Sequence, residues 1–90
     1  MPGSDMVQSV QRALDILERV AHSDHGARLS EISLDLGLKK TTAHNLLRTL
    51  SARGYLSRDD AHRFRIGPAI HDVWRTRFNS GIQQRAEKEL

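Results

Sequence analysis

A mainly α-helical domain closed by one small antiparallel β-hairpin, with a further helix running on from it, is the fold class that three features predict. Apolar residues recur at helical spacing near the start, at Val10, Ala13, Leu14, Leu17, Val20 and Ala21. They recur at Ala43, Leu46, Leu47 and Leu50, which are i, i+3, i+4 and i+7 of a second helix face. After Gly54 the period changes to two, in Tyr55–Arg58 and again in Arg63–Ile66. Helix, tight turn, polar-faced helix, hairpin is the order of a unit that reads DNA, with the other segments as its support.

Residues 1–6 contain Pro, Gly and Ser and read as a flexible tail. The first helix runs from Val7 to Ala21 and supplies support, with Ile16 off the main stripe and able to broaden the buried face. His22 to Gly26 breaks the pattern and forms a loop. His22 and His25 are the closest histidine pair, with only Asp24 beside them as a third metal ligand, so a solvated loop is expected and no metal site. Ala27-Arg28-Leu29 reads as a very short strand. Ser30 then suits an N-cap, with Glu31 in the first turn where a carboxylate favours the helix dipole. Leu29, Ile32 and Leu36 share a face, Leu34 points elsewhere, and Leu38 plugs the turn that Gly37 allows.

The helix between Gly37 and Gly54 has an unusual outer face. At about 100° per residue, Thr41, Asn45, Arg48 and Ala52 lie opposite the apolar stripe, flanked by Thr42, His44 and Thr49. Short hydrogen-bonding side chains with one Arg, rather than alternating Glu and Lys, suit the base edges of a major groove. Gly54 ends the helix as a C′ residue. In the hairpin, Leu56, Phe64 and Ile66 are expected to face the helices while Arg63 and Arg65 point away, and Asp59 to His62 makes the tip. Two strands do not stand alone, so the hairpin must pack on the helices as a wing. The candidate DNA-contacting residues are therefore Lys40, Thr41, Thr42, His44, Asn45, Arg48, Arg63 and Arg65.

Pro68 suits the first turn of a last helix, which carries Ile70, Val73, Trp74 and Phe78. The expected core already has Val10, Leu14, Leu17, Ile32, Leu46, Leu47, Leu50, Phe64 and Ile66. The stripe on the last helix is thus surplus to it and is expected to pack partly on the first helix and partly on a symmetry mate, making an isologous homodimer through Ile70, Val73, Trp74 and Phe78. The alternative is that all four pack within one chain.

Charge is concentrated where the polar helix and hairpin lie. Residues 39–65 hold seven Lys/Arg against two Asp, whereas residues 1–38 hold three Arg against six Asp/Glu. That is the footprint of a polyanion partner. With no Cys there is no disulfide or thiolate metal site, and a reducing cytosol is compatible. No apolar run approaches the ~18 residues of a membrane span, so no membrane association and a cytoplasmic location are expected. No nucleophile–base pair, phosphate loop or carboxylate pair stands out, so neither catalysis nor a cofactor is expected.

Four stretches, SVQRALDILE, LSEISLDLGL, KTTAHNLLRTLSARGYL and RFRIGP, resemble the N-terminal domain of IclR-family transcriptional regulators. The resemblance implies a winged helix-turn-helix at 7–67, a linker helix at 68–80 and, at 81–90, the start of a truncated effector-binding domain. The chain is accordingly expected to be a fragment or a natural short form, with any small-molecule effector bound by the missing C-terminal domain. By the same likeness Thr41, Thr42, His44 and Asn45 sit where the recognition helix meets double-stranded DNA, and Arg63 falls in the wing. Family members often have Pro at the place of Lys39, Arg at that of Asn45 and Gly in the hairpin tip. Asn suits adenine where Arg suits guanine, so the base preference is expected to differ. The rival expectation is a winged-helix protein-interaction module for an acidic partner. It is disfavoured because the polar helix face offers no Trp or Tyr as an anchor.

Overall fold

The computed structural model describes residues 6–77, which fold as four helices and one two-stranded antiparallel sheet. Helix α1 (Gln8–Ala21) begins after Val7, whose extended backbone marks the N-cap. Its covered face is centred on Ile16 and Val20, both buried, with Leu17 packed beside them. Val10 and Leu14, expected in the core, are instead 55% and 52% exposed. The helix carries two apolar stripes, and at ~100° per residue Val10 and Leu14 lie roughly 120° and 160° from Ile16. Seating Ile16 and Val20 therefore turns both into solvent.

The expected strand at Ala27–Leu29 is a single β-bridge. The Ala27 N–H donates to the Phe64 carbonyl at 3.0 Å and the Phe64 N–H to the Ala27 carbonyl at 2.7 Å. Helix α2 (Leu29–Leu36) starts directly afterwards, capped at Arg28 and not at Ser30. The bridge fixes extended backbone up to Ala27, and Glu31 Oε1 then accepts the Arg28 N–H at 2.9 Å, one half of a capping box. Ser30 consequently sits within the first turn. Leu34 is exposed, as its spacing implied.

The turn into the next helix is held from both sides. Gly37 adopts φ +66° and lets the Leu38 N–H reach the Ser33 carbonyl at 2.9 Å. Ser33, only 6% exposed, donates its hydroxyl to the Leu38 carbonyl at 2.6 Å. Leu38 packs against the core, the plug its position predicted.

Helix α3 (Lys40–Ala52) buries Ala43 and Leu47 and packs Leu46 and Leu50 against the core. It ends in a Schellman motif at Gly54, φ +83°, where the Tyr55 N–H meets the Leu50 carbonyl at 2.9 Å and the Gly54 N–H that of Ser51 at 3.0 Å. Strands β1 (Leu56–Arg58) and β2 (Phe64–Ile66) pair with Leu56 opposite Ile66, Ser57 opposite Arg65 and Arg58 opposite Phe64. Leu56 and Phe64 are core residues, but Ile66, expected there too, is 37% exposed. The Ala27 bridge extends the ribbon only at Phe64, so the end of β2 is less covered.

Helix α4 (Pro68–Arg77) begins at the predicted proline. The Ala69 N–H donates to the Gly54 carbonyl and the Gly67 N–H to that of Tyr55, both at 2.9 Å, which anchors its start to the end of α3. The core thus joins Ile16 and Val20, Ala27, Ile32, Leu47, Leu56 and Phe64 from every element but α4. Residues 1–5 of the expected tail, Phe78 with the end of the linker helix, and residues 81–90 lie outside the described residues.

Candidate nucleic-acid interface

Because α3 seats Ala43 and Leu47 inward, helical geometry turns Thr41, His44, Asn45 and Arg48 outward, and all four are exposed. Lys40 at the N-terminus of the helix is exposed as well, and Thr42 on the flank is half-buried. Thr49 spends its hydroxyl on the Asn45 carbonyl at 3.0 Å. The side chains of Thr41, Thr42, His44, Asn45 and Arg48 have no hydrogen-bond partner among the described residues. Donors and acceptors are therefore left unspent on one continuous face.

The wing is organised by Asp59. Its Oδ1 accepts the N–H groups of Ala61 and Arg63, both at 2.9 Å, and its Oδ2 accepts Arg65 Nε at 3.0 Å. The backbone N–H of Arg63 first, and the Arg65 guanidinium second, hold the Asp59 carboxyl below the usual aspartate range. These bonds close a four-residue tip in which His62 takes φ +63°, a conformation that favours glycine. Arg63 is half-buried and Arg65 exposed, and the two flank Gly26 on the face of the ribbon away from Phe64.

One wing cation lies on the other face, and the sequence reading missed it. Directly paired residues share a face, so Arg58 sits beside Phe64, its guanidinium carbon 5.4 Å from the ring centroid. Arg58 lines a cleft together with His44, Arg48 and Ser51 of α3. Within that cleft the Ser51 hydroxyl is buried and has no partner among the described residues. The signal was present in the alternation: if Leu56 faces inward, so does Arg58. The structure thus brings Lys40, His44 and Arg48 to the same side as Arg58, whereas Arg63 and Arg65 occupy the far side of the wing.

Away from this face, His22 Nδ1 donates to the Glu18 carbonyl at 2.7 Å and closes the end of α1. Among the described residues no three His, Cys, Asp or Glu side chains are grouped to hold a metal, and no helix is long and apolar enough to cross a membrane. On α4, Ile70 is half-buried while Val73 and Trp74 are 56% and 58% exposed.

Comparison with known proteins agrees with this architecture. The model of the IclR helix-turn-helix domain matches residues 9–60. The chain is 42% identical over 65 residues to the glycerol operon regulatory protein of Streptomyces coelicolor, an alignment covering 71% of this chain and 26% of that protein. It is 36% identical over 86 residues to the HTH-type transcriptional regulator XynR of Escherichia coli, covering 91% of this chain and 33% of the relative. The crystal structure of the Agrobacterium tumefaciens repressor BlcR matches with a TM-score of 0.70 at 33% identity, over 90% of this chain and 32% of that one. The chain therefore spans about a third or less of the length of the curated relatives it matches.

Proposed function

The chain belongs to the IclR helix-turn-helix family, and on that premise we propose that it binds double-stranded DNA sequence-specifically as the reading domain of a transcriptional regulator. The relatives it matches are named as regulators and repressors, not as enzymes. Helix α3 enters the major groove, where Thr41, Thr42, His44, Asn45 and Arg48 meet base edges and Lys40 meets the backbone. Although on the wing face away from α3, and with Arg65 paired to Asp59, half-buried Arg63 and exposed Arg65 reach the adjacent backbone or minor groove. The observation that carries this reading is the outer face of α3, where the side chains of Thr41, His44, Asn45 and Arg48 are exposed and have no hydrogen-bond partner among the described residues.

Two copies act together as an isologous dimer through Ile70, Val73 and Trp74 of α4 with Phe78 beyond it. Support comes from the exposure of Val73 and Trp74, and from the second apolar stripe at Val10 and Leu14, which adds to the apolar surface left in water. One module makes few contacts, and two held at fixed spacing bind far more tightly than either alone. On the family resemblance, a small-molecule effector acts through a separate domain, and the protein works in the cytoplasm. Fluorescence anisotropy with mixed genomic duplex at two salt concentrations tests the reading. Binding that weakens steeply with salt supports it, and no binding at the lower salt refutes it.

A further inference from the structure

We propose that Arg28, Lys40, Arg58 and His62 form a clamp for one backbone phosphate of the bound duplex, seated between the recognition helix and the wing. The proposal rests on the DNA-binding reading above and adds Arg28, Arg58 and His62 to it. The four side chains come from four places in the chain: the cap of α2, the first residue of α3, the last residue of β1 and the wing tip. They nevertheless line one surface concavity, completed by Leu29 and Ser30.

Charge bookkeeping sets this concavity apart. Arg19, Arg65 and Arg75 are each committed to a carboxylate, Asp35 at 2.8 Å, Asp59 at 3.0 Å and Asp72 at 2.7 Å. Arg28, Lys40 and Arg58 have no carboxylate partner among the described residues, and no carboxylate lines the concavity with them. The nearest acids are otherwise placed: Glu31 accepts the Arg28 backbone N–H, and Asp60 is exposed at the wing tip. Three permanent cations gathered on one small surface repel one another in the free protein, and an anion among them reverses the sign of that interaction.

The shape of the site favours a phosphodiester. Donors converge from several directions, which suits a tetrahedral group, and Arg side chains bind phosphate oxygens through paired N–H groups. Ser30, in the first turn of α2, adds a hydroxyl to the same wall. Arg58 also lines the adjoining cleft with His44 and Arg48, so a phosphate held here lies next to the bases that α3 reads. Backbone contacts of this kind carry no sequence information but fix the register of a recognition helix in its groove.

The test compares the chain with Arg28→Gln, Arg58→Gln, the double variant and Asn45→Ala. Affinities are measured by anisotropy across a salt series, for a duplex selected from a random pool and for its scrambled counterpart. Glutamine keeps a stem over Phe64 while removing the charge, and circular dichroism checks that each variant is folded. Each single Gln variant is expected to weaken both duplexes by the same factor, about tenfold for a charge-assisted contact. The double variant is expected to lower the salt slope by about 0.9 per bound protomer, the signature of one phosphate in each half-site. A neutral methylphosphonate at one linkage per half-site should weaken the unmodified chain and cost Arg58→Gln nothing more. Unchanged affinity and slope in the folded Gln variants, with Asn45→Ala still losing discrimination, would overturn the clamp and leave the DNA reading standing. Failure of the unmodified chain to bind any duplex would overturn both. Saturable arginine Nε shifts with inorganic phosphate, together with indifference to every methylphosphonate, would assign the concavity to a free anion instead.

Discussion

Replacing Ser33 by alanine tests the joint that aims the recognition helix. Ser33 is 6% exposed and its hydroxyl donates to the Leu38 carbonyl at 2.6 Å, across the turn between α2 and α3. The backbone bond from Leu38 N–H to the Ser33 carbonyl remains in the variant, so the turn loses one of its two ties. A neutral hydrogen bond contributes about 1 kcal/mol net, rising to about 2 kcal/mol where its partner is left poorly solvated. For a domain of this size each kcal/mol shifts Tm by roughly 4–8 °C, so Tm should fall by about 5–15 °C. Thermal unfolding by circular dichroism reads this directly. Ser33→Cys is the control, because a thiol fills the space of the hydroxyl but is a weak donor. Both variants should melt early, and both should bind a selected duplex less tightly below their melting range. An alanine variant that melts within about 2 °C of the parent would refute the reasoning, and a cysteine variant with full stability would assign the effect to packing.

Other parts of the structure give equally direct tests. Asp59 has its carboxyl held below the usual aspartate range, so the order it confers on the wing is full above that range and is lost as pH falls through the lower folded pKa. Amide exchange at Ala61 and Arg63 should accelerate in acid, and Asp59→Asn, which keeps an acceptor for both amides, should flatten the dependence. Gly67→Ala should destabilise by about 1–3 kcal/mol in urea unfolding, because the added Cβ meets the Gly54 carbonyl oxygen and lies 2.9 Å from the Leu56 carbonyl carbon. Trp74→Ala combined with Phe78→Ala should lower the sedimentation mass from dimer toward monomer and weaken binding to a palindromic site more than to a half-site.

Element order, the two glycine-ended turns, the start of α4 at Pro68 and the polar face of α3 were legible because each rests on local chemistry. The two misplaced core residues of α1 have a common cause. A helical period tells which side chains share a face, but α1 has apolar residues on two faces, and only packing decides that Ile16 and Val20 go inward while Val10 and Leu14 do not. Alternation alone puts Arg58 on the face of Leu56, but its neighbour across the ribbon, Phe64, is known only once β1 and β2 are paired. Ser33 was hidden because a serine within a helix reads as solvated, and its partner at Leu38 exists only after Gly37 has reversed the chain. His62 replaces the glycine expected at the wing tip, and the compensation comes from Asp59, whose bonds to Ala61 and Arg63 no spacing rule reports. The effect of these residues on the site is to bring the wing cation nearest α3 into view and to leave Arg63 and Arg65 on the opposite face.

The central claim is that α3 reads bases through its outer face, and Asn45 is the side chain on that face best matched to a bidentate contact with adenine. The direct measurement is the affinity of the chain and of Asn45→Ala for a duplex selected from a random pool, and for the four single-base variants at each position of that duplex. Loss of one such contact is worth about 1–3 kcal/mol, or roughly 5- to 150-fold in Kd. The expected result is that loss on the selected duplex, with discrimination relaxed at one base position per half-site and the salt slope unchanged. An Asn45→Ala chain that binds every duplex as the parent does, with the same preference at every position, would contradict it.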